Sequence, residues 1–287
     1  MIEVDQSLSF NRALVEKYDR PGPRYTSYPT APQFHQAFAL DDYHAAAQAS
    51  NQAAAPKALS LYIHIPFCKS LCYYCACNKI ITQKTHRAVE YLNYLKREIA
   101  MQAALFDRTR TLRQLHLGGG TPTYLTREQL AELMDCLHQA FNLDDSDEHE
   151  FSIEVDPRTI STEQIEHLRQ LGFNRLSFGV QDFDPDVQAA VNRQQSEEQI
   201  YALVAAARAA QFKSVSVDLI YGLPLQTVAS FDVTLSKIIA LRPDRIAAYS
   251  YAHLPELVRA QRLIRREDMP PPERKMELLE LTISRLT

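Results

Sequence analysis

From residue 59 onward the chain alternates between two hydrophobic rhythms. Short stretches place apolar side chains at every second position, as in Leu59-Ser60-Leu61-Tyr62-Ile63-His64-Ile65. Longer stretches between them repeat every three to four residues. A period of two is that of a strand and a period near 3.6 is that of a helix. The pattern predicts strands over 59–65, 114–117, 150–155, 175–180, 215–220 and 245–251, and helices over 86–104, 127–140, 162–171, 197–210 and 228–240. Thr126, Ser161 and Ser196 are expected N-caps, and Ser161 with Gln164 fits a capping box. Asp41 is expected to cap an Ala-rich helix over 43–55. Beyond Pro270-Pro271-Pro272 a sixth helix is expected, with Met276, Leu279, Ile283 and Leu286 on one face. Strands alternating with helices imply parallel β/α units. The fold class is therefore α/β, as an open sheet or a barrel, though six strands are too few for the common closed eight-stranded kind. The first 58 residues lack this rhythm. Gly22-Pro23-Arg24-Tyr25-Thr26-Ser27-Tyr28-Pro29-Thr30 cannot form a regular helix, so 1–58 is expected to be an irregular extension and 59–287 the barrel.

Several strands carry one polar face. Ser60, Tyr62 and His64 oppose aliphatic residues in the first strand. Ser152 and Glu154 do so in the third, and Ser216 and Asp218 in the fifth. Arg175, Ser177, Gly179 and Gln181 share a face of the fourth. A parallel strand buried on both sides reads as nearly continuous aliphatics. Each polar residue alone could be a satisfied buried group. Together they predict a ligand-filled lumen whose mouth lies at the C-terminal strand ends.

Composition narrows the function. With 287 residues, 46% of them hydrophobic, the chain can bury a sizeable core. A net charge of −4 gives no field for nucleic acid or acidic membranes. Met1 to Asp19 lacks a basic start followed by an apolar stretch, so no secretory leader is expected. No apolar run reaches the roughly 18 residues that span a bilayer. Of five cysteines, four fall between 68 and 77. Such crowding suits a metal site in a reducing compartment better than a disulfide framework, and the expected location is the cytoplasm.

Cys68, Cys72 and Cys75 follow the first strand with the spacing C-x3-C-x2-C. Three thiolates from one loop can ligate three irons of a 4Fe–4S cubane and leave the fourth for another ligand. Zinc is the alternative, with His64 or Cys77 as the fourth donor, although structural zinc usually takes two separated pairs. A ferredoxin-like relay would supply four cysteines, and Cys136 falls in a predicted amphipathic helix. A thioredoxin-like pair would not carry two further close cysteines. Gly118-Gly119-Gly120-Thr121-Pro122-Thr123 follows the second strand, where the absent side chains let backbone approach a ligand.

The C-x3-C-x2-C loop after the first strand resembles the signature of radical S-adenosylmethionine enzymes. The likeness is closer to one family. Cys77, the 22–30 segment, Ser-Ile-Glu-Val-Asp-Pro at 152–157, Gly-Val-Gln-Asp-Phe at 179–183, Val-Asn-Arg at 191–193, Asp-Leu-Ile-Tyr-Gly-Leu-Pro at 218–224 and Tyr-Ala-His-Leu-Pro at 251–255 resemble the oxygen-independent coproporphyrinogen III oxidases. Ala76 stands where that family is expected to have Gly. The resemblance implies a partial (β/α)6 radical-SAM barrel. It implies a 4Fe–4S cluster on Cys68, Cys72 and Cys75, with S-adenosylmethionine chelating the open iron and being cleaved to a 5′-deoxyadenosyl radical. Two S-adenosylmethionine molecules are implied. Tyr62, Gly119 and Glu154 would contact the first, and Tyr74, Gly120, Thr121, Gln181, Arg193, Asp218 and Ala252 the second. Cys77 and His64 are the candidate catalytic side chains.

The activity implied is oxidative decarboxylation of two propionates of coproporphyrinogen III to vinyls, giving protoporphyrinogen IX. An electron donor such as flavodoxin or ferredoxin is implied, with no nucleic acid or membrane partner, and a monomer is expected. Arg20, Arg24 and Lys79 are candidate cations at the entry of this four-carboxylate substrate. The rivals are a haem-chaperone-like relative and a non-catalytic haem- or iron–sulfur-binding module. The family's C-terminal helical cap is expected to be absent from these 287 residues, leaving the substrate side of the lumen open.

Overall fold

The computed structural model describes residues 10–19 and 28–287. Arg20, Arg24 and most of the 22–30 segment lie outside the described residues. Six long strands, β1 (Leu59–Ile65), β2 (Thr111–Gly119), β3 (Glu150–Val155), β4 (Arg175–Gln181), β5 (Ser214–Tyr221) and β6 (Arg245–Ser250), alternate with α1 (His86–Ala103), α2 (Arg127–Ala140), α3 (Thr162–Gln170), α4 (Glu197–Ala209), α5 (Val228–Leu241) and α6 (Pro272–Leu286). The strands lie parallel in chain order, with β1 and β6 at the two edges. This is the α/β arrangement of six parallel β/α units that the periodicity predicts.

One face of the sheet is aliphatic and buried. Ile63, Leu115, Leu117, Ile153, Phe178, Val180 and Val217 pack against Leu92, Leu133, Leu137, Leu168, Leu203, Phe231 and Leu235 of the helices in one continuous core. The other face carries Ser152, Glu154, Ser177 and Asp218 and is half-buried. Caps fix where the helices begin. Thr126 Oγ1 accepts from Gln129 N–H and Ser196 Oγ from Gln199 N–H, each at 3.2 Å. Gln164 Oε1 accepts from Ser161 N–H at 2.9 Å. Among the described residues no helix is long and apolar enough to cross a membrane.

Some boundaries differ from expectation. β2 starts at Thr111, because Asn142–Leu143 pairs with its first residues and holds Leu112 in the core. The Ala-rich helix spans Leu40–Asn51 and its N-cap is Ala39, not Asp41. Asp42 Oδ2 accepts Ala39 N–H at 2.8 Å, so the capping carboxylate comes from inside the first turn. In α6 the fully buried positions are Leu278 and Thr282, while Met276, Leu279 and Ile283 are half-buried. The apolar stripe is wider than the strip of core it meets, and its centre is turned away from the one expected. A short helix, Pro185–Ala190, stands where the periodicity gave none, capped by Asp184 Oδ1 at 2.9 Å from Asp186 N–H.

Candidate cofactor site

The cysteine loop leaves β1 through Pro66 and is fastened at several points. Phe67–Cys68 pairs with Ile80–Ile81, closing the loop on itself. Tyr73 N–H donates to Val191 O at 3.0 Å, and Asn192 Nδ2 to Leu71 O at 2.7 Å. Gln261 Nε2 reaches Tyr74 O at 3.0 Å. Lys79 Nζ donates to Cys75 O at 2.7 Å, so this expected entry cation is turned onto the loop. These bonds satisfy backbone groups that a non-helical, non-sheet segment would otherwise leave open.

All three thiols line one cavity of about 470 Å³ at the C-terminal strand ends. Each has its own donor. Thr121 Oγ1 lies 3.5 Å from Cys68 Sγ. Arg158 Nη2 and Arg193 Nη1 lie 3.4 Å from Cys72 Sγ. The Cys77 thiol donates to Cys75, and with the nearby Lys79 ammonium this holds the Cys75 thiol down at about 5 despite burial. Cys77 is pushed up in return. Cys77, the candidate catalytic thiol, thus faces Cys75. Burial is the larger influence on Cys68 and raises it, against the Thr121 hydroxyl. Among the described residues no three His, Cys, Asp or Glu side chains converge tightly enough for a single metal ion. A mononuclear zinc site needs that convergence, whereas a cubane takes one thiolate per iron. The donor set of three thiols with hydrogen bonds to each sulfur fits the cubane.

The glycine loop after β2 is laid against the cysteine loop. Gly120 N–H donates to Ile65 O at 2.8 Å and Thr121 N–H to Phe67 O at 2.9 Å. A Cβ on Gly120 would stand 2.8 Å from Phe67 O, and backbone cannot move aside as a side chain can. Gly119 is required twice: its φ is +114°, and a Cβ would meet the His64 ring at 2.8 Å.

The polar strand face runs from this rim into the lumen. Glu154 Oε2 accepts Gly119 N–H at 3.2 Å. Asp218 takes the Ser177 hydroxyl at 3.2 Å, and burial, with Glu154 nearby, raises its carboxyl to about 6. A carboxyl this high in a cleft marks a site prepared for a polar ligand. Gln181 ends β4 with φ +68°, a left-handed conformation that is costly for a residue with a side chain. Arg193 is 8% exposed at its side chain. It donates to Gly179 O at 2.5 Å and to Asp156, and its Nε is buried with no partner among the described residues. A buried donor without an acceptor fits a bound anionic group.

Besides the three cysteines and Cys77, the cavity gathers Tyr74, Gly119, Gly120, Thr121, Glu154, Gln181, Arg193, Asp218 and Ala252. Tyr62 stands just below, on a second polar cavity of about 600 Å³ that shares Glu154, Ser177 and Asp218 with the first. His64 is set outside the cofactor cavity. Its Nδ1 meets the Tyr62 hydroxyl at 3.0 Å and its Nε2 meets Asn78 O at 2.8 Å, so the ring ties β1 to the cysteine loop. Cys136 sits half-buried in α2 against the core. A further cavity of about 360 Å³ lies outside β1, among Tyr43, Tyr91, Leu95 and Phe106, away from the cysteines.

Three polar residues of the site are not among the candidate site residues named from the sequence, although Asp156 lies in the 152–157 motif. His116, in β2, stacks on Tyr62 at 5.7 Å between centroids, and its Nδ1 lies 2.6 Å from Ser152 Oγ. Its signal was present: it is the polar residue between Leu115 and Leu117. Asp156 and Arg158 sit in the turn after β3, where no periodicity reports facing.

A family model for the radical SAM superfamily matches residues 62–238. An oxygen-independent coproporphyrinogen III oxidase of Pseudomonas aeruginosa is 49% identical over 280 residues, covering 98% of this chain and 60% of that protein. One of the same name from Escherichia coli is 49% identical over 285 residues, again 98% and 60%. The solved structure of coproporphyrinogen III oxidase from Escherichia coli, described as a radical SAM enzyme, matches with a TM-score of 0.89 and 48% identity, over 98% of this chain and 62% of that one. The chain therefore spans about 60% of the length of the curated relatives it matches.

Proposed function

Because the chain belongs to the radical SAM superfamily, whose members bind a 4Fe–4S cluster and S-adenosylmethionine, we propose that Cys68, Cys72 and Cys75 ligate that cluster and that the protein oxidatively decarboxylates two propionates of coproporphyrinogen III to vinyls. The observation that carries the reading is one cavity that joins three thiols to the Glu154–Gly119 pair and to Asp218 and Arg193. The names of the 49% identical relatives supply the substrate.

When bound, the cluster and S-adenosylmethionine would supply the one-electron radical chemistry. The chain's residues bind and orient. Glu154, held by the Gly119 N–H, would offer its carboxylate to the methionyl end of the first molecule, with the Tyr62 ring below it. A second molecule would bind in the same cavity, with Arg193 suited to its carboxylate and Asp218 to ribose hydroxyls. In this reading the protein works as a monomer, in the cytoplasm, with no disulfide among its five cysteines, and is reduced by a flavodoxin or ferredoxin.

Cys77 would act beside the substrate once Cys75 is engaged by iron. The test is anaerobic product analysis with coproporphyrinogen III, run on the protein and on Cys77→Ser. The protein should release two carbon dioxide per protoporphyrinogen IX. Cys77→Ser should keep its iron and its cleavage of S-adenosylmethionine while losing porphyrinogen turnover. Cleavage without any decarboxylation by the unaltered protein would reject the substrate, and loss of iron from Cys77→Ser would make Cys77 a ligand.

A further inference from the structure

The three cysteine sulfurs are not treated alike. Cys68 receives a hydroxyl from Thr121, and Cys75 a thiol from Cys77. Cys72, itself 7% exposed, is approached by two guanidiniums. Asp156 joins them: its Oδ2 accepts from Arg158 Nη2 at 2.6 Å and from Arg193 Nη1 at 3.3 Å. Arg158 Nε adds a contact of 2.9 Å to Asp156 Oδ1. The three side chains retain 18%, 8% and 10% exposure for Arg158, Arg193 and Asp156. The sequence builds this locally. Asp156-Pro157-Arg158 turns tightly after β3, with Asp156 Oδ1 accepting Arg158 N–H at 3.1 Å, so one short segment aims both charges at the loop after β1.

Two guanidiniums and one carboxylate leave one positive charge over in a buried place. An uncompensated buried charge is costly, and this one lies against the Cys72 sulfur. Hydrogen bonds to the sulfurs and local charge are among the factors that set an iron–sulfur cluster's potential. Reduction adds one electron to the cluster and makes or breaks no bond, so positive charge at a ligand sulfur favours the reduced form and negative charge disfavours it.

Resting on the cluster reading above, we infer that Arg158 and Asp156 form an opposed pair that sets the cluster's reduction potential through the Cys72 sulfur, Arg158 raising it and Asp156 lowering it. Both are positioning residues: Arg158 touches the Cys72 sulfur, and Asp156 acts on it through Arg158 and Arg193. The opposite signs separate tuning from damage, because a distorted loop has no reason to move the potential up in one variant and down in the other.

The experiment is a redox titration of the anaerobically reconstituted protein, followed by electron paramagnetic resonance, with iron counted in each sample. Arg158→Gln should titrate at a more negative potential than the unaltered protein, Asp156→Asn at a more positive one, and Arg158→Lys close to the unaltered value. Should Arg158→Gln shed iron, Asp156→Asn alone carries the sign test, and a shift to a more negative potential with iron retained overturns the inference. Shifts in the same direction, or unmoved potentials with iron retained, overturn the inference while leaving the cluster in place. A protein that takes up no iron under these conditions contradicts the cluster reading itself, and the inference with it.

Discussion

The two faces of the six-stranded sheet are made from the same strands and do opposite work. On the outer face Phe178, Val180, Val217 and Leu219 are fully buried beneath helices. On the inner face their immediate neighbours Ser177, Gly179 and Asp218 line cavities. Strand alternation sends successive side chains to opposite sides, so stability and chemistry are written one residue apart. A core position tolerates little change of volume because its neighbours relax only partly. An inner-face position touches solvent or ligand, so its residue type can be chosen for chemistry. The faces should therefore respond differently to substitution.

The largest stability difference is expected at adjacent residues of β4. Phe178→Ala should cost about 3–5 kcal/mol, the range for a buried aromatic truncated in a packed core. Ser177→Ala gives up one hydroxyl hydrogen bond to Asp218 and should cost about 1 kcal/mol. Chemical denaturation of both variants checks this. Equal losses would mean that the inner face is as much a part of the core as the outer one.

A smaller and opposite effect is expected at Asp218. Its carboxyl is raised from 3.8 to about 6, chiefly by burial, so the folded state holds this proton more tightly than the unfolded chain. Folding is therefore opposed above pH 6 and relieved as pH falls toward 4. Asp218→Asn, which mimics the neutral acid, should stabilise the ligand-free protein at pH 7 by on the order of 2 kcal/mol, and the advantage should fade by pH 4. Thermal unfolding of the two proteins across this range reads the difference directly. An Asn variant that is less stable at pH 7 would show that the carboxylate is compensated in the folded protein and that the inner face carries no such cost.

The outer face was the easier one to read. Its aliphatic period places most strands and helices to within a residue or two, β2 being the exception, because burial against any helix leaves the same trace. On the inner face, period two correctly put Ser152, Glu154, Ser177, Gly179, Gln181, Ser216 and Asp218 on one side. It could not say which of them meet. His116 escaped notice because one polar residue inside Leu115-His116-Leu117 resembles an ordinary strand, and its partner Ser152 is 36 residues away. Asp156 and Arg158 lie in a turn, where facing has no period. His64 sits on the expected polar face of β1, yet β1 is the sheet edge and the ring turns toward Asn78, outside the lumen. In α6 the stripe was visible, but which of its positions meets Phe231 and Leu235 of the core depends on a neighbour the periodicity does not name.

The central claim is that three thiolates on the loop after β1 hold a cubane with one iron open to S-adenosylmethionine. Its most direct measurement is metal content after anaerobic reconstitution, for the protein and for Cys68→Ala, Cys72→Ala, Cys75→Ala and Cys136→Ala, together with 5′-deoxyadenosine formed on reduction. About four irons per chain are expected in the protein and in Cys136→Ala, with 5′-deoxyadenosine produced. Each of the other three variants should lose the cluster and the product. One tightly bound zinc per chain in place of iron, or a cluster that survives removal of any of the three thiols, would contradict the claim.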